Sequence, residues 1–357
     1  SEISMKKTHN DEEKSFLNKI FSPFKKLRAK VGDLCYAASV AIHAKTAKPT
    51  KKNVTPGARR IKESIFYYGM LVLPLIQFLV FYVGVNVNSI LLSFKSFEIT
   101  DERVGYIWVG FKNYADFIKS FITNSDMVRM AVNSLILYGF GLLVGVPLAI
   151  LFSFYLYKNF ALSSVFKVLL FLPSIISSVV MVLMYKYFVD FGFPALMKAF
   201  GVRVIAPLGV STTAFKWIIF YNLFISFGAN VIMYTSSMTR IPPSLTEYAR
   251  LEGCSYWREL IYIVVPLIFP TITTFLVVGV AGIFTNQANV YTFYGTDAAA
   301  EVTTFGYYLF GKIAGNVHSN ADYPYVSAAG IVFTFIAVPL TFLVKWVLEK
   351  FGPVSEF

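Results

Sequence analysis

Six long apolar runs, each interrupted by few charged residues, restrict what this chain can fold into. A helix needs about 20 apolar residues to cross roughly 30 Å of hydrocarbon. Segments in lipid must be helical because an exposed strand edge would leave backbone groups unpaired, and the alternation typical of barrel strands is absent. We therefore expect an all-α membrane protein. The predicted spans are residues 65–94, 130–155, 165–188, 213–234, 263–284 and 325–346.

The composition and the placement of charge also indicate a membrane protein. Hydrophobic residues make up 56% of the 357 residues and charged residues only 15%, which is too apolar for a water-soluble domain. The formal net charge is +12, but 15 of the 32 Lys and Arg residues precede Ser64, outside the spans. This distribution indicates orientation in a membrane and not binding of nucleic acid.

Basic residues next to the first span predict which way the chain is oriented. Arg59, Arg60 and Lys62 stand immediately before it, and Lys and Arg near span ends favour the cytoplasm. We therefore expect a cytoplasmic N-terminus and, after six crossings, a cytoplasmic C-terminus. The predicted parts are a basic tail (1–63), a transmembrane domain (64–350) and a short C-terminal tail (351–357).

The N-terminal tail contains an amphipathic pattern. Its apolar residues recur at steps of three and four, with lysines around them, as an interfacial helix requires. The alternative is a helix packed on a cytoplasmic partner. The apolar positions are Leu27, Val31, Leu34, Ala38 and Ile42.

The connection between the fourth and fifth spans, residues 241–266, predicts two short helices joined by a turn. Two consecutive prolines end the preceding structure, and Ser244 with Glu247 three residues later fits a capping box. Gly253 permits a sharp turn at the end of the first helix. A second helical stretch leads into the fifth span. Such a loop is suited to dock into a groove of another protein, and nothing in it is catalytic.

This loop resembles the EAA loop of ABC importer permeases. The family pattern has a Glu, two Ala, a Gly six residues after the Glu, and a later Ile-x-x-Pro. Tyr248 replaces the first Ala of that pattern, and Cys254 replaces the Ala that usually follows the Gly. The matching residues are Glu247, Ala249, Gly253, Ile263 and Pro266.

The wider chain, approximately residues 65–350, resembles the carbohydrate-uptake branch, the maltose and multiple-sugar permeases. Trp108-Val-Gly-Phe-Lys-Asn-Tyr is similar to the signature after the first span of that branch, and Val132-Asn-Ser-Leu is similar to the opening of its second. One departure is Tyr294-Gly295-Thr296, where the branch usually has a Gly-Gly-Pro turn.

The resemblance implies the six-helix arrangement of type I ABC importers and the uptake of a sugar or oligosaccharide. In that family the loop forms a coupling helix, which sits in a cleft of an ATPase subunit and transmits nucleotide-driven closure to the spans. The implied partners are a second homologous permease, two ATPase subunits that bind ATP and Mg²⁺, and an extracytoplasmic substrate-binding protein. The implied location is the bacterial plasma membrane, with lipid around the spans.

The sequence contains no motif for nucleotide hydrolysis or metal binding. No Gly-x-x-x-x-Gly-Lys-Ser/Thr phosphate loop occurs, so separate ATPase subunits must supply the energy. No His-Glu-x-x-His or metal-spaced Cys pair occurs, and His9, His43 and His318 are scattered. We therefore expect a transport subunit that is not an enzyme and has no cofactor or metal of its own.

Polar residues within spans are costly in lipid and indicate candidate positions along a substrate pathway. Asn222, Ser226 and Asn230 are spaced by four on one face of the fourth span, where they could hydrogen-bond sugar hydroxyls. Asn133 in the second span and Asn286 at the end of the fifth are further candidates. The alternative for each is a hydrogen bond between helices, which is common in membranes.

Three other functions compete with uptake of a sugar. An ABC importer could carry another solute, such as a sugar phosphate. A channel or secondary transporter would work without ATP hydrolysis, and it leaves the loop at 241–266 unexplained. A membrane scaffold would move no solute at all.

Overall fold

The computed structural model describes residues 56–100, 103–314 and 320–353. The predicted amphipathic helix of the N-terminal tail lies outside these ranges. The chain divides into two compact units, one that reaches Phe78 and one that begins at Leu79. All residues of the candidate site belong to the second unit.

Six helices within the described ranges are long and apolar enough to cross a membrane. The sequence predicted this number, and each predicted span overlaps one of the six. In chain order the spans are Glu63–Ser93, Ser125–Tyr157, Ser178–Ala199, Ser211–Met238, Tyr256–Ala281 and Asp322–Phe351.

Several spans are built from shorter helical segments. In the described ranges the α-helices are α1 (Pro56–Gln77), α2 (Val85–Ser93), α3 (Lys112–Thr123), α4 (Ser125–Phe140), α5 (Val146–Tyr157), α6 (Ser163–Ile175), α7 (Ser178–Tyr187), α8 (Phe193–Ala199), α9 (Ser211–Met238), α10 (Pro243–Leu251), α11 (Tyr256–Glu259), α12 (Val265–Ala281), α13 (Val290–Tyr294), α14 (Phe305–Ala314) and α15 (Asp322–Phe351). The π-helical turns are Phe78–Gly84, Gly141–Gly145, Phe188–Gly192 and Leu260–Val264, and a 3₁₀ turn lies at Pro207–Gly209.

Proline follows the π turn in the second, third and fifth spans, each time as the second residue beyond it. A proline within a helix has no N–H to donate, and its ring clashes with the carbonyl four residues earlier. A π turn widens the backbone locally and so accommodates the ring without ending the helix. The prolines are Pro147, Pro194 and Pro266.

The third span differs from its predicted position at 165–188. This stretch forms two helices, because the backbone becomes extended at Ile176 and Ser177, with ψ of 141° and 135°. Pro173 has no backbone N–H to donate in the last turn of α6, and the helix ends two residues later. The third span starts after the break and continues to Ala199, 11 residues beyond its predicted end at residue 188.

A β-hairpin follows the first span, which the sequence did not predict. Strands β1 (Lys95–Thr100) and β2 (Arg103–Trp108) pair antiparallel. The Phe94 and Trp108 rings stack with centroids 5.6 Å apart. Asn113 of α3 donates hydrogen bonds to the carbonyl oxygens of Ser93 and Lys95, at 2.8 and 2.6 Å. The hairpin is thereby fixed to the end of the span.

One cluster of buried apolar residues joins the second, fourth and fifth spans. It extends to Met238, the last residue of the fourth span, and to Leu260, near the start of the fifth. The three spans are therefore packed together at this end of the bundle. The members of the cluster are Ala149, Phe154, Leu156, Val231, Tyr234, Met238, Ile241, Leu260, Val264, Ile268 and Ile272.

Candidate functional site

A cavity of about 490 Å³ lies between the second, fourth and fifth spans. Among the residues that the structure describes, none of the side chains that line it is charged. The wall is mostly apolar, with a few amides and hydroxyls, as is typical of small-molecule sites. The polar groups come from Ser134, Asn222, Ser226, Asn230, Thr285 and Asn286, together with Tyr138 and Tyr234.

The fourth span contributes the three polar residues that the sequence placed on one face. Asn222, Ser226 and Asn230 all line the cavity, because a spacing of four brings side chains to the same side of a helix. Ser226 donates to the carbonyl oxygen of Asn222 at 2.7 Å. Asn230 makes no side-chain hydrogen bond within the described part of the chain, so its amide is available to a ligand.

Asn222 has a structural function as well as a place in the wall. Its amide nitrogen donates to the carbonyl oxygens of Ile218 and Ala288, each at 2.9 Å. Its side-chain oxygen accepts a hydrogen bond from the side-chain amide of Asn289 at 3.4 Å. Ala288 and Asn289 have left-handed backbones, with φ of 53° and 57°. Asn222 therefore supports a strained turn that follows the fifth span.

Asn286 and Asn133 have different surroundings. Asn286 lines the cavity, and its side-chain oxygen accepts from the backbone N–H of Ala288 at 2.8 Å. Asn133 lies outside the cavity wall and is only 6% exposed. Its amide donates to the carbonyl oxygens of Glu301 and Thr303, at 3.1 and 2.9 Å. Asn133 thus connects the second span to the segment before α14.

The second span contributes an aromatic residue that the sequence did not single out, and this residue packs on the fifth span. Tyr138 lines the cavity and donates to the carbonyl oxygen of Leu276 at 3.0 Å. A β-carbon at Gly279 would lie 2.7 Å from its ring. Small residues let membrane helices approach closely, and Gly279 does so here. Spacing alone could not identify Tyr138, since most aromatic residues in spans only pack.

Helix α10 lies at the end of the bundle where the fourth span stops. Ser244 does not cap it as predicted: the cap position is Pro242, which makes no side-chain cap hydrogen bond. Pro243 takes the first helical position because its fixed φ suits it, so Ser244 falls one residue inside the helix. Glu247 is exposed, whereas Ala249 is buried. The helix therefore presents Glu247 outward and packs through Ala249.

Gly253 ends α10 with the sharp turn that the sequence predicted. Its φ is +72°, a left-handed value that favours glycine. Its N–H donates to the Arg250 carbonyl at 3.0 Å, and the N–H of Cys254 donates to the Ala249 carbonyl at 2.9 Å. These two bonds form a Schellman motif. A β-carbon on Gly253 would meet nothing within 4 Å, so backbone conformation alone requires the glycine.

The connection exposes large apolar side chains on both of its helices. Leu251 is 83% exposed, and Tyr248 and Trp257 are each about two-thirds exposed. Large apolar side chains exposed on neighbouring helices are typical of an interaction surface. Ile263 and Pro266 are half-buried where the chain returns into the fifth span. We call residues 241–266 the coupling loop from here on, after the function expected from its resemblance to the EAA loop.

The sequence and the fold agree with one family. The family described as "binding-protein-dependent transport system inner membrane component" matches residues 141–353, a stretch that includes the coupling loop and most of the cavity wall. No curated protein matches the sequence significantly.

Two solved structures are similar in fold. One is a bacterial ABC transporter involved in the import of the acidic polysaccharide alginate; the similarity has a TM-score of 0.67 at 20% identity over 82% of this chain and 98% of that chain. The other is a bacterial alginate ABC transporter in complex with an alginate pentasaccharide-bound periplasmic protein, with a TM-score of 0.67 at 21% identity over 83% and 99%. The chain belongs to the family of binding-protein-dependent transport system inner membrane components.

Proposed function

We propose that this chain is the transmembrane permease subunit of an ABC importer that takes up a sugar or oligosaccharide. A single observation carries the proposal: one helix, α9, contributes polar residues to an uncharged cavity and then leads directly into an exposed loop with an apolar surface. The proposed pathway and the proposed docking surface are thus connected by one continuous helix, α9. The alginate importers of similar fold support an oligosaccharide as substrate.

The chemistry of the cavity favours a neutral saccharide over a sugar phosphate. Amides and hydroxyls such as those of Asn222, Ser226 and Asn230 exchange hydrogen bonds with sugar hydroxyls without requiring charge. A phosphate would enter a wall whose described residues include no Lys, Arg or His, and a buried anion without a partner is strongly disfavoured.

The coupling loop is the proposed contact with an ATPase subunit. Glu247 is exposed to meet a partner, Ala249 packs the helix inward, and Gly253 sets the turn that positions both. Ile263 and Pro266 return the chain into the membrane. Two ATPase subunits bind ATP and Mg²⁺ and hydrolyse the nucleotide, whereas this chain catalyses no reaction.

The proposed mechanism is alternating access driven from the loop. Asn230 and the end of α9 at Met238 are eight residues apart, or about 12 Å along the helix at 1.5 Å per residue. A displacement of the loop therefore reaches the cavity wall through two turns of continuous helix. A second homologous permease completes the pathway, and an extracytoplasmic binding protein delivers the sugar.

The proposed location is the bacterial plasma membrane, with both termini and the coupling loop in the cytoplasm. The family and the six spans support a multi-pass membrane protein. The basic residues before the first span support a cytoplasmic N-terminus. A cysteine introduced at Glu247 should therefore react with a membrane-impermeant maleimide only after the cells are opened.

The decisive experiment is reconstitution of the purified complex. The complex is isolated with its partners, placed in liposomes with ATP inside, and supplied with the binding protein and a labelled neutral oligosaccharide. We expect uptake that requires ATP hydrolysis. Uptake without ATP would identify a channel or secondary transporter, and uptake of a sugar phosphate alone would correct the substrate.

A further inference from the structure

A buried ion pair joins the second span to the coupling loop. Lys158 follows the last residue of α5, and Glu259 is the last residue of α11, 101 positions later. The Lys158 ammonium donates to the Glu259 carboxylate. The two side chains are only 5% and 1% exposed. Both charges are therefore removed from solvent and neutralise each other.

Stability alone does not explain such a pair. Removing two charges from water costs free energy that their attraction hardly exceeds, and a well-packed apolar pair at such a site is often as stable. Separating the two groups, however, would leave each charge buried without a partner, which is strongly disfavoured. A buried pair is therefore suited to fix one element relative to another.

The surroundings of Lys158 strengthen the attachment. Its ammonium lies 5.5 Å from the Phe154 ring centroid and 5.4 Å from that of Tyr157, within the range of cation–π attraction. The Tyr157 hydroxyl lies close to the Thr246 hydroxyl of α10, and the charge of Arg250 on the same helix acts on it electrostatically. The end of the second span thus contacts both helices of the coupling loop.

The turn after the second span packs against the loop as well. The Phe160 and Tyr256 rings meet edge to face, with centroids 5.3 Å apart. Asn159 and Leu162, on either side of Phe160, have left-handed backbones with φ of 51° and 63°. Tyr256 is the first residue of α11, so Phe160 of this turn packs on the start of that helix.

We propose that Lys158 and Glu259 are positioning residues that fasten the coupling loop to the second span. The second span lines the cavity at Tyr138 and Gly145, and the fifth span lines it at Gly279. The attachment makes both walls follow one displacement of the loop. This inference rests on the proposed function, since it assigns how the loop moves the pathway.

Four variants of the pair, two single and two double, test the proposal in the intact, reconstituted complex. Lys158→Met leaves the Glu259 carboxylate without its partner, and Glu259→Gln leaves the Lys158 ammonium without a negative charge beside it. Lys158→Met with Glu259→Leu replaces the pair by apolar packing, and Lys158→Glu with Glu259→Lys exchanges the charges. Lys345→Met is the matched control, because Lys345 pairs with Glu349 at 3.7 Å on an exposed helix face.

The measurement is labelled neutral oligosaccharide transported per ATP hydrolysed, with thermal unfolding of each complex recorded in parallel. We expect Lys158→Met to lower this ratio about tenfold while ATP hydrolysis continues. The apolar double variant should unfold near the wild-type temperature and still be uncoupled. The charge exchange should recover part of the ratio, and Lys345→Met should keep it.

Two results would overturn the proposal in different ways. An apolar double variant with the wild-type ratio would mean that the pair only stabilises the fold, and the proposed function would stand. A wild-type complex that transports without hydrolysing ATP would overturn the proposed function and this inference with it.

Discussion

Asn222 donates a hydrogen bond of 2.9 Å to the carbonyl oxygen of Ala288, 66 positions later in the chain. The bond joins the cavity wall of the fourth span to the left-handed turn after the fifth. Asn222 thus lines the cavity and also stabilises the turn beside it, whereas Asn230 lines the cavity only, within the described structure. The two residues can be separated by experiment.

Asn222→Ala should lower both stability and transport. The substitution leaves the Ala288 carbonyl without a donor, which costs about 1 kcal/mol. Thermal unfolding of the purified complex and the KM for the oligosaccharide should both change. A variant with normal unfolding and altered KM alone would show that the turn does not depend on this bond.

Asn230→Ala should change the KM and leave unfolding unchanged, because this amide has no hydrogen bond to lose within the described structure. Asn230→Asp should weaken uptake of a neutral sugar further, since an uncompensated carboxylate in the wall favours water over substrate. Uptake assays of the two variants, side by side with Asn222→Ala, measure the difference. Unchanged kinetics in both would remove Asn230 from the pathway.

Gly253→Val should abolish coupling in a protein that still inserts. A β-branched residue in a left-handed backbone costs about 1–2 kcal/mol, enough to displace the turn of the coupling loop. Gly139→Ala is a suitable control, because a β-carbon there also meets nothing within 4 Å and its backbone is not left-handed. Transport per ATP hydrolysed and the amount of protein in the membrane are the two readouts. Normal transport by Gly253→Val would contradict the assignment.

Gly228→Ala should destabilise the bundle. A β-carbon at Gly228 would collide with the carbonyl oxygen of Leu170, where α6 touches the fourth span without an intervening side chain. Overpacking of this kind costs about 1–3 kcal/mol. The unfolding temperature should fall relative to Gly139→Ala. Equal temperatures would mean that α6 moves aside freely.

Alkaline pH should weaken the segment after the fifth span. Burial raises the pKa of the Tyr294 hydroxyl from 10.0 to about 12, and nearby Asp190 adds to the rise. The folded state therefore keeps this proton, and its hydrogen bond of 2.9 Å to the Leu208 carbonyl, at pH values where the unfolded chain has lost it. Stability should be unaffected below pH 10 and fall between about 10 and 12. Tyr294→Phe should make this decline shallower; an identical decline would contradict the assignment.

Much of the fold was predictable because lipid leaves few alternatives. An apolar run of sufficient length must be helical, so the number of spans followed directly from the sequence. The position of the third span was wrong, because hydropathy does not distinguish a helix continuing past Pro173 from one that ends. The hairpin at 95–108 was missed since its strands are short and lie outside the apolar runs.

The site was predictable only where local spacing decides it. Asn222, Ser226 and Asn230 came together because one helix places them on one face. Asn133 depends on neighbours 168 and 170 positions away, so its partners could not be foreseen. The Lys158–Glu259 pair joins two connections that no periodicity relates.

The wide turns before the prolines alter how these spans should be drawn. A π turn adds one residue per turn, which offsets a helical wheel by about 100° beyond it. Tyr138 lies before the turn Gly141–Gly145 and Val146 after it, yet both face the cavity. A single wheel through the second span would assign some lipid-facing positions to the pathway. Mutational scans of this span are best plotted on two separate helical wheels, one for the helix on each side of the π turn.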